Sequence, residues 1–147
     1  MKKYKLCILL VFFIICGCSS HVQDAREEGM ENFYLTIDGN DYELSLYSNQ
    51  AVDHLLSLLP LSIQMNDLQD NEKYYYFDNP FPIETESVNQ IRTGDLMLFN
   101  NDCLVLFYDD FTTSYQYTRI GYIKDISDFK ENINHESVDV IIQRKDK

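Results

Sequence analysis

From Phe33 onward the chain switches between two hydrophobic periods, and each switch marks an element. "FYLTI" (33–37) and "YELSL" (42–46) alternate apolar and polar residues, the period of a strand, and "DGND" (38–41) supplies hairpin turn chemistry between them. In "SNQAVDHLLSLLP" (48–60) the period lengthens. Val52, Leu55, Leu56 and Leu59 recur at helical spacing, Ser48 or Asn49 stands where a cap is needed, and Pro60 ends the helix. "LSIQM" (61–65) and "KYYYF" (73–77) return to strand chemistry around the polar turn "NDLQDNE" (66–72), and "DNPFPIETES" (78–87) reads as a loop stiffened by Pro80 and Pro82.

"GDLMLF" (94–99) and "CLVLFYD" (103–109) are almost continuously apolar and are split by a short "NND" hairpin signal. Such runs imply burial on both faces or packing inside a barrel. "TRIGYIKD" (118–125) predicts another strand, "SDFKENI" (127–133) a short capped helix, and "SVDVIIQR" (137–144) a closing strand. The reading is mainly β, with about eight strands, predominantly antiparallel, and two short helices. Short hairpins with few covering helices favour a closed barrel, because closure removes exposed strand edges.

The first 32 residues follow other rules. Lys2, Lys3 and Lys5 precede the ten-residue apolar run "LCILLVFFII" (6–15), too short for a membrane span of about 20 residues. A basic start, a short apolar run and small residues at its exit describe a secretory signal over residues 1–17. The exit "ICGCSS" (15–20) resembles the bacterial lipobox, and that resemblance implies that Cys18 becomes a lipidated N-terminus anchored in the membrane by more than one acyl chain. "SSHVQDAREEGMEN" (19–32) then reads as a polar tether, and residues 33–147 as one domain. The localisation this implies is a cell or outer membrane, facing away from the cytoplasm.

Charge and cysteine use narrow the function classes. Removing residues 1–17 takes away three lysines and no acid, so the net charge moves from −12 to −15. Between Glu31 and Thr118 the only basic residues are Lys73 and Arg92, so nucleic acid is disfavoured as a partner. With Cys7 and Cys16 in the signal and Cys18 lipidated, Cys103 alone remains in the domain, in an apolar run where a small buried thiol is the expected role. His21, His54 and His135 are isolated in sequence, so no metal site is predicted, and no cofactor is implied. Neither a GxSxG elbow, a Gly-rich phosphate loop nor an HExxH pair occurs, and no catalytic residue is assigned. The sequence assigns no oligomeric state.

Together, "LTIDGNDYELSLYSNQAVDHLLSLLPL", "NEKYYYF", "TGDLMLF" and "CLVLFYDDFTTSYQYTRIGYI" resemble a bacterial cyclophilin-like domain family, over nearly all of residues 33–143. The resemblance implies a small cyclophilin-type β-barrel with capping helices. It also raises prolyl isomerisation as an activity, which needs an apolar pocket and a preorganised cation aimed at the twisting amide. The "FHR"-like motif and the "GG" segment of true cyclophilins are absent. Where they are expected, "LSIQMNDLQDNEKYYYF" offers only Lys73; Tyr117 falls at the place of the late-strand histidine, and the chain has no tryptophan. The expected function is therefore binding of a peptide segment or small ligand without strong catalysis. The alternative is a divergent isomerase using Arg119 and nearby aromatics.

Two groups of residues are candidates for that ligand. In "SYQYTRIG" (114–121) an extended backbone places Tyr115, Tyr117 and Arg119 on one face, where a guanidinium can stack on rings and grip a carbonyl or carboxylate. Against this stands pairing of Arg119 with one of the fifteen acidic residues between Glu31 and Thr118. In the second group Tyr74 and Tyr76 point one way and Tyr75 and Phe77 the other. One pair lines a groove with Phe81 at its rim, or the rings fill the barrel.

Overall fold

The computed structural model describes residues 29–145, so the signal segment, Cys18 and the tether as far as residue 28 lie outside the described residues. The first hairpin is longer than its apolar alternation. β1 (Met30–Ile37) reaches back into the stretch read as tether and pairs antiparallel with β2 (Asn40–Leu46). Asp38 and Gly39 join them at φ 45° and 90°, the positive angles that a two-residue hairpin turn demands. Helix α1 (Gln50–Ser57) follows. Asn49 caps it by accepting from the Val52 amide at 2.9 Å, and the helix buries Ala51, Val52 and Leu55.

Next come β3 (Leu61–Leu68) and β4 (Glu72–Tyr76), and here the polar turn read over residues 66–72 shrinks to three residues. Asn66, Asp67 and Leu68 continue the strand and pair with Tyr74, Lys73 and Glu72. Their polarity hid the strand because Asp67 has its own buried partner, described below. The remaining elements are β5 (Glu86–Ser87), β6 (Gln90–Ile91), β7 (Asp95–Phe99), β8 (Cys103–Phe107), β9 (Phe111–Thr112), β10 (Gln116–Ile123), α2 (Phe129–Ile133) and β11 (Ser137–Arg144). The two-residue strands β5, β6 and β9 are too short to show a period; β5 ends the stretch that reads as a stiffened loop, and β6 and β9 lie where the pattern predicts no element.

Eight strands form the barrel in the order β2–β1–β11–β3–β4–β8–β7–β10, all antiparallel, and β10 pairs back onto β2 to close it. The mainly β, closed-barrel expectation agrees with this architecture. Inside lie Leu35, Leu44, Leu98, Leu104, Leu106 and Ile142 among others, all essentially inaccessible. Closure depends on a close approach at Gly121, which is paired with Leu46. A Cβ there would lie 2.4 Å from the Ser45 carbonyl oxygen, and backbone cannot yield as a flexible side chain does. Gly121→Ala is expected to destabilise the protein by about 1–3 kcal/mol, the range for overpacking. A urea midpoint equal to that of the wild type would contradict this account of the seam.

Inside the barrel wall sits a charge. Lys73 is fully buried, and its Nζ binds Asp67 Oδ1 and donates to the His135 carbonyl. The Tyr108 hydroxyl donates to the same Asp67 oxygen, and Lys73 Nζ lies 4.9 Å from the Tyr108 ring centre. A buried ammonium is tolerated only when paired and hydrogen-bonded, and both conditions are met.

Candidate functional site

The near-continuous apolar character of β7 and β8 has two destinations. Leu96, Leu98, Leu104 and Leu106 fill the barrel, whereas Met97, Cys103, Val105 and Phe107 form a second apolar layer that includes Val88, Ile91 and Tyr117. By strand alternation this second layer is the outer face of β4, β8, β7 and β10, adjacent in that order. Ile91 and Phe111, paired through β6 and β9, belong to the part of the layer covered by the 86–112 excursion.

Beyond that cover the layer opens into a groove of about 410 Å³. Tyr74, Tyr76, Tyr115, Tyr117 and Phe99 line it, with Cys103 and Val105 in its floor and Leu68, Gln69 and Glu72 along one side. Its rings are mutually packed. Tyr74 meets Tyr76 edge-on at 5.7 Å between ring centres, and Phe99 lies 5.7 Å from Tyr115 and 5.6 Å from Tyr117. Tyr76 and Tyr115 are 58% and 63% exposed, unusually open for large rings, so their faces are available to a ligand.

The electrostatics of the groove are one-sided. None of its lining residues is basic. Burial raises the Glu72 carboxyl above its ordinary 4.5, and the charge of Asp67 adds to the rise. Burial, then the charge of Glu72, raises the Tyr117 phenol. Cys103 is pushed up to about 11, chiefly by burial, with Asp102 and Glu72 adding to it against a hydrogen bond from Tyr76. A thiol so placed stays protonated near neutrality and is no activated nucleophile.

The chain matches the Cyclophilin-like family over residues 35–143, most of its length. It belongs to the cyclophilin-like family. Among solved structures, this cyclophilin-like chain is similar to the solution structure of the hypothetical protein AF2241 from Archaeoglobus fulgidus, at 19% identity and a TM-score of 0.57. That match covers 82% of this chain and 99% of the archaeal one, and at such identity it speaks for the fold alone. Comparison with curated proteins gave no match.

On this cyclophilin-like barrel the candidate residues separate. Tyr74 and Tyr76 of β4 come together in the groove with Tyr117 of β10 and with Tyr115, which stands just before β10. Phe81 does not stand at the rim. It is buried with the main core, 4.8 Å from the Phe77 ring and 4.5 Å from the His54 ring, because Phe77 has the inward parity of β4 and draws it there. Arg119 shares the strand parity of Tyr117 but is not among the lining residues. Its Nε donates to Glu86 Oε1 at 2.7 Å, across the β5–β10 pairing, so its guanidinium is engaged by an acid at the groove's flank. Its backbone carbonyl accepts from Asn49 Nδ2 at 2.7 Å, which ties β10 to the cap of α1.

Two site features escaped the sequence reading. Glu72 lines the groove although it reads as a turn residue; its parity with Tyr74 and Tyr76 was the available signal. Lys73, the single base in the stretch where a cyclophilin cation is expected, points inward and is consumed by Asp67. Among the described residues, no group of three or more His, Cys, Asp or Glu is arranged to hold a metal ion. Chemically, the groove offers ring faces, phenol donors and acceptors and a carboxylate, but no cation to stabilise a twisted amide.

Proposed function

We propose that the protein is a lipid-anchored, extracytoplasmic binding module whose cyclophilin-like domain takes a peptide segment in the tyrosine groove without acting as an effective prolyl isomerase. The observation that carries this reading is the pairing of an open aromatic groove with the absence of a basic lining residue. Aromatic grooves hold extended segments by stacking and by hydrogen bonds from ring hydroxyls, at little conformational cost to the protein. Isomerisation asks for more, namely a donor stronger in the transition state than in either planar state. Arg119 is the nearest guanidinium in sequence to the groove tyrosines, and Glu86 competes for it. Support for the anchor is the order of basic start, apolar run and "ICGCSS" around Cys18.

Proline cis–trans exchange in a short peptide, followed by NMR with catalytic amounts of the mature protein, tests the reading. The uncatalysed process takes tens of seconds or more, so acceleration is easily seen. The expected result is no acceleration, with or without Arg119→Ala. Acceleration that disappears in Arg119→Ala would instead establish the divergent isomerase.

A further inference from the structure

Glu72 is a half-buried carboxylate, and among the described residues no hydrogen bond or ion pair engages it. It shares the outward parity of β4 with Tyr74 and Tyr76, and its charge is felt by Cys103 and Tyr117 in the floor and wall of the groove. The groove thus joins a desolvated anion to electron-rich ring faces, with no basic lining residue to neutralise it. Ring faces attract cations, and they do so more strongly where water is excluded. An anion at one end of such a site adds an ion pair to that attraction.

We propose, on the reading that the groove binds a peptide, that its occupant presents a basic side chain, with the apolar stem stacked on the tyrosines and the cationic head at Glu72. The charge of the protein agrees with this choice, since a chain of net −12 draws basic segments towards it and repels acidic ones. Neutral peptides gain the stacking but cover the half-buried Glu72 carboxylate without pairing it. Basic ones offset that desolvation with an ion pair.

The burial of Glu72 also gives the interaction a pH signature. Its carboxyl titrates above 4.5 in the free protein, and a bound cation draws it down again. Affinity for a basic peptide therefore falls as pH drops through the Glu72 range. Around it, Asp67 of β3 sits below its ordinary value and stays ionised, whereas Cys103 of β8 and Tyr117 of β10 are raised and stay neutral. Tyr76 of β4 is likewise raised; the phenols of Tyr74 and Tyr115 also face the groove, and the Asp102 side chain lies beside Cys103.

The test titrates the mature protein with a lysine-centred alanine pentapeptide and with its norleucine-centred counterpart, followed by NMR. The lysine peptide is expected to perturb the groove residues and to bind about tenfold more tightly than the norleucine peptide. Glu72→Gln, isosteric and checked by an unchanged amide spectrum elsewhere, is expected to erase that preference, and so is a drop in pH through the Glu72 range. Equal affinity for the two peptides overturns the proposal and leaves the groove as a binding site. Perturbation of the groove by neither peptide overturns both the proposal and the binding reading. Groove signals that move with protein concentration alone assign the site to a second copy of the chain, and that too overturns it.

Discussion

Asp67→Ala is expected to cost about 3–5 kcal/mol of folding stability, because it leaves the fully buried Lys73 without its counter-ion. The His135 carbonyl is the hydrogen-bond acceptor that remains to Lys73 Nζ, and the Tyr108 hydroxyl loses its acceptor as well. Urea unfolding reads the loss as a lowered midpoint at unchanged slope. Replacing both charges together, Asp67→Leu with Lys73→Met, is expected to recover part of it, since it removes the unpaired buried charge while the Tyr108 hydroxyl and the His135 carbonyl stay without those partners. A single variant as stable as the wild type would show that the pair is not buried as described.

The same pair predicts how stability responds to acid. Burial pushes the Asp67 carboxyl up, but hydrogen bonds from Lys73, Tyr108 and the Asp70 amide outweigh it, and the group lies below its ordinary 3.8. A carboxyl lowered on folding contributes stability that is complete above its unfolded value and is lost as pH falls through the folded one. The wild type is therefore expected to lose stability below pH 3.8 more steeply than the double variant. Glu72, raised on folding in part by the charge of Asp67, acts in the opposite sense, but its effect is complete once the pH is below its ordinary 4.5 and so lies above the window compared.

The second large effect concerns the groove. Tyr74→Ala combined with Tyr115→Ala is expected to weaken a groove-binding peptide by at least about tenfold, the scale of losing aromatic anchors at an interface. Stability should change by only about 1 kcal/mol, because Tyr115 is 63% exposed and neither ring belongs to the barrel core. Calorimetric titration of wild type and variant with one peptide from a displayed library gives the affinity ratio, and a urea curve gives the stability. An unchanged affinity would remove the groove from the account.

How much of this was legible in the sequence depends on what each residue answers to. The barrel strands with an apolar period were readable because burial on one face imposes it, and β11 (Ser137–Arg144) was read to the residue. β3 was cut short at Met65 because Asp67 looks like turn chemistry, and nothing local reveals that its partner is the lysine across the hairpin. Strand parity placed Tyr74 and Tyr76 on one face and Tyr115 and Tyr117 on another, but only the order β4–β8–β7–β10 turns two faces into one groove. Arg119 shows the limit of parity: it predicts the side of a sheet, not whether Glu86 on a two-residue strand will claim the side chain. Phe81 failed for a related reason, since a proline-flanked loop folds back on the core by contacts with Phe77 and His54 that have no sequence period.

Chemical-shift mapping of the protein with a library-selected peptide shows whether the tyrosine groove is the binding surface. The shifts are expected to cluster on Glu72, Tyr74, Tyr76, Phe99, Tyr115 and Tyr117, which line the groove on the outer face of β4, β8, β7 and β10. Shifts centred on Arg119 and Glu86, or at α1 and Phe81, with the tyrosine groove silent, would contradict that expectation.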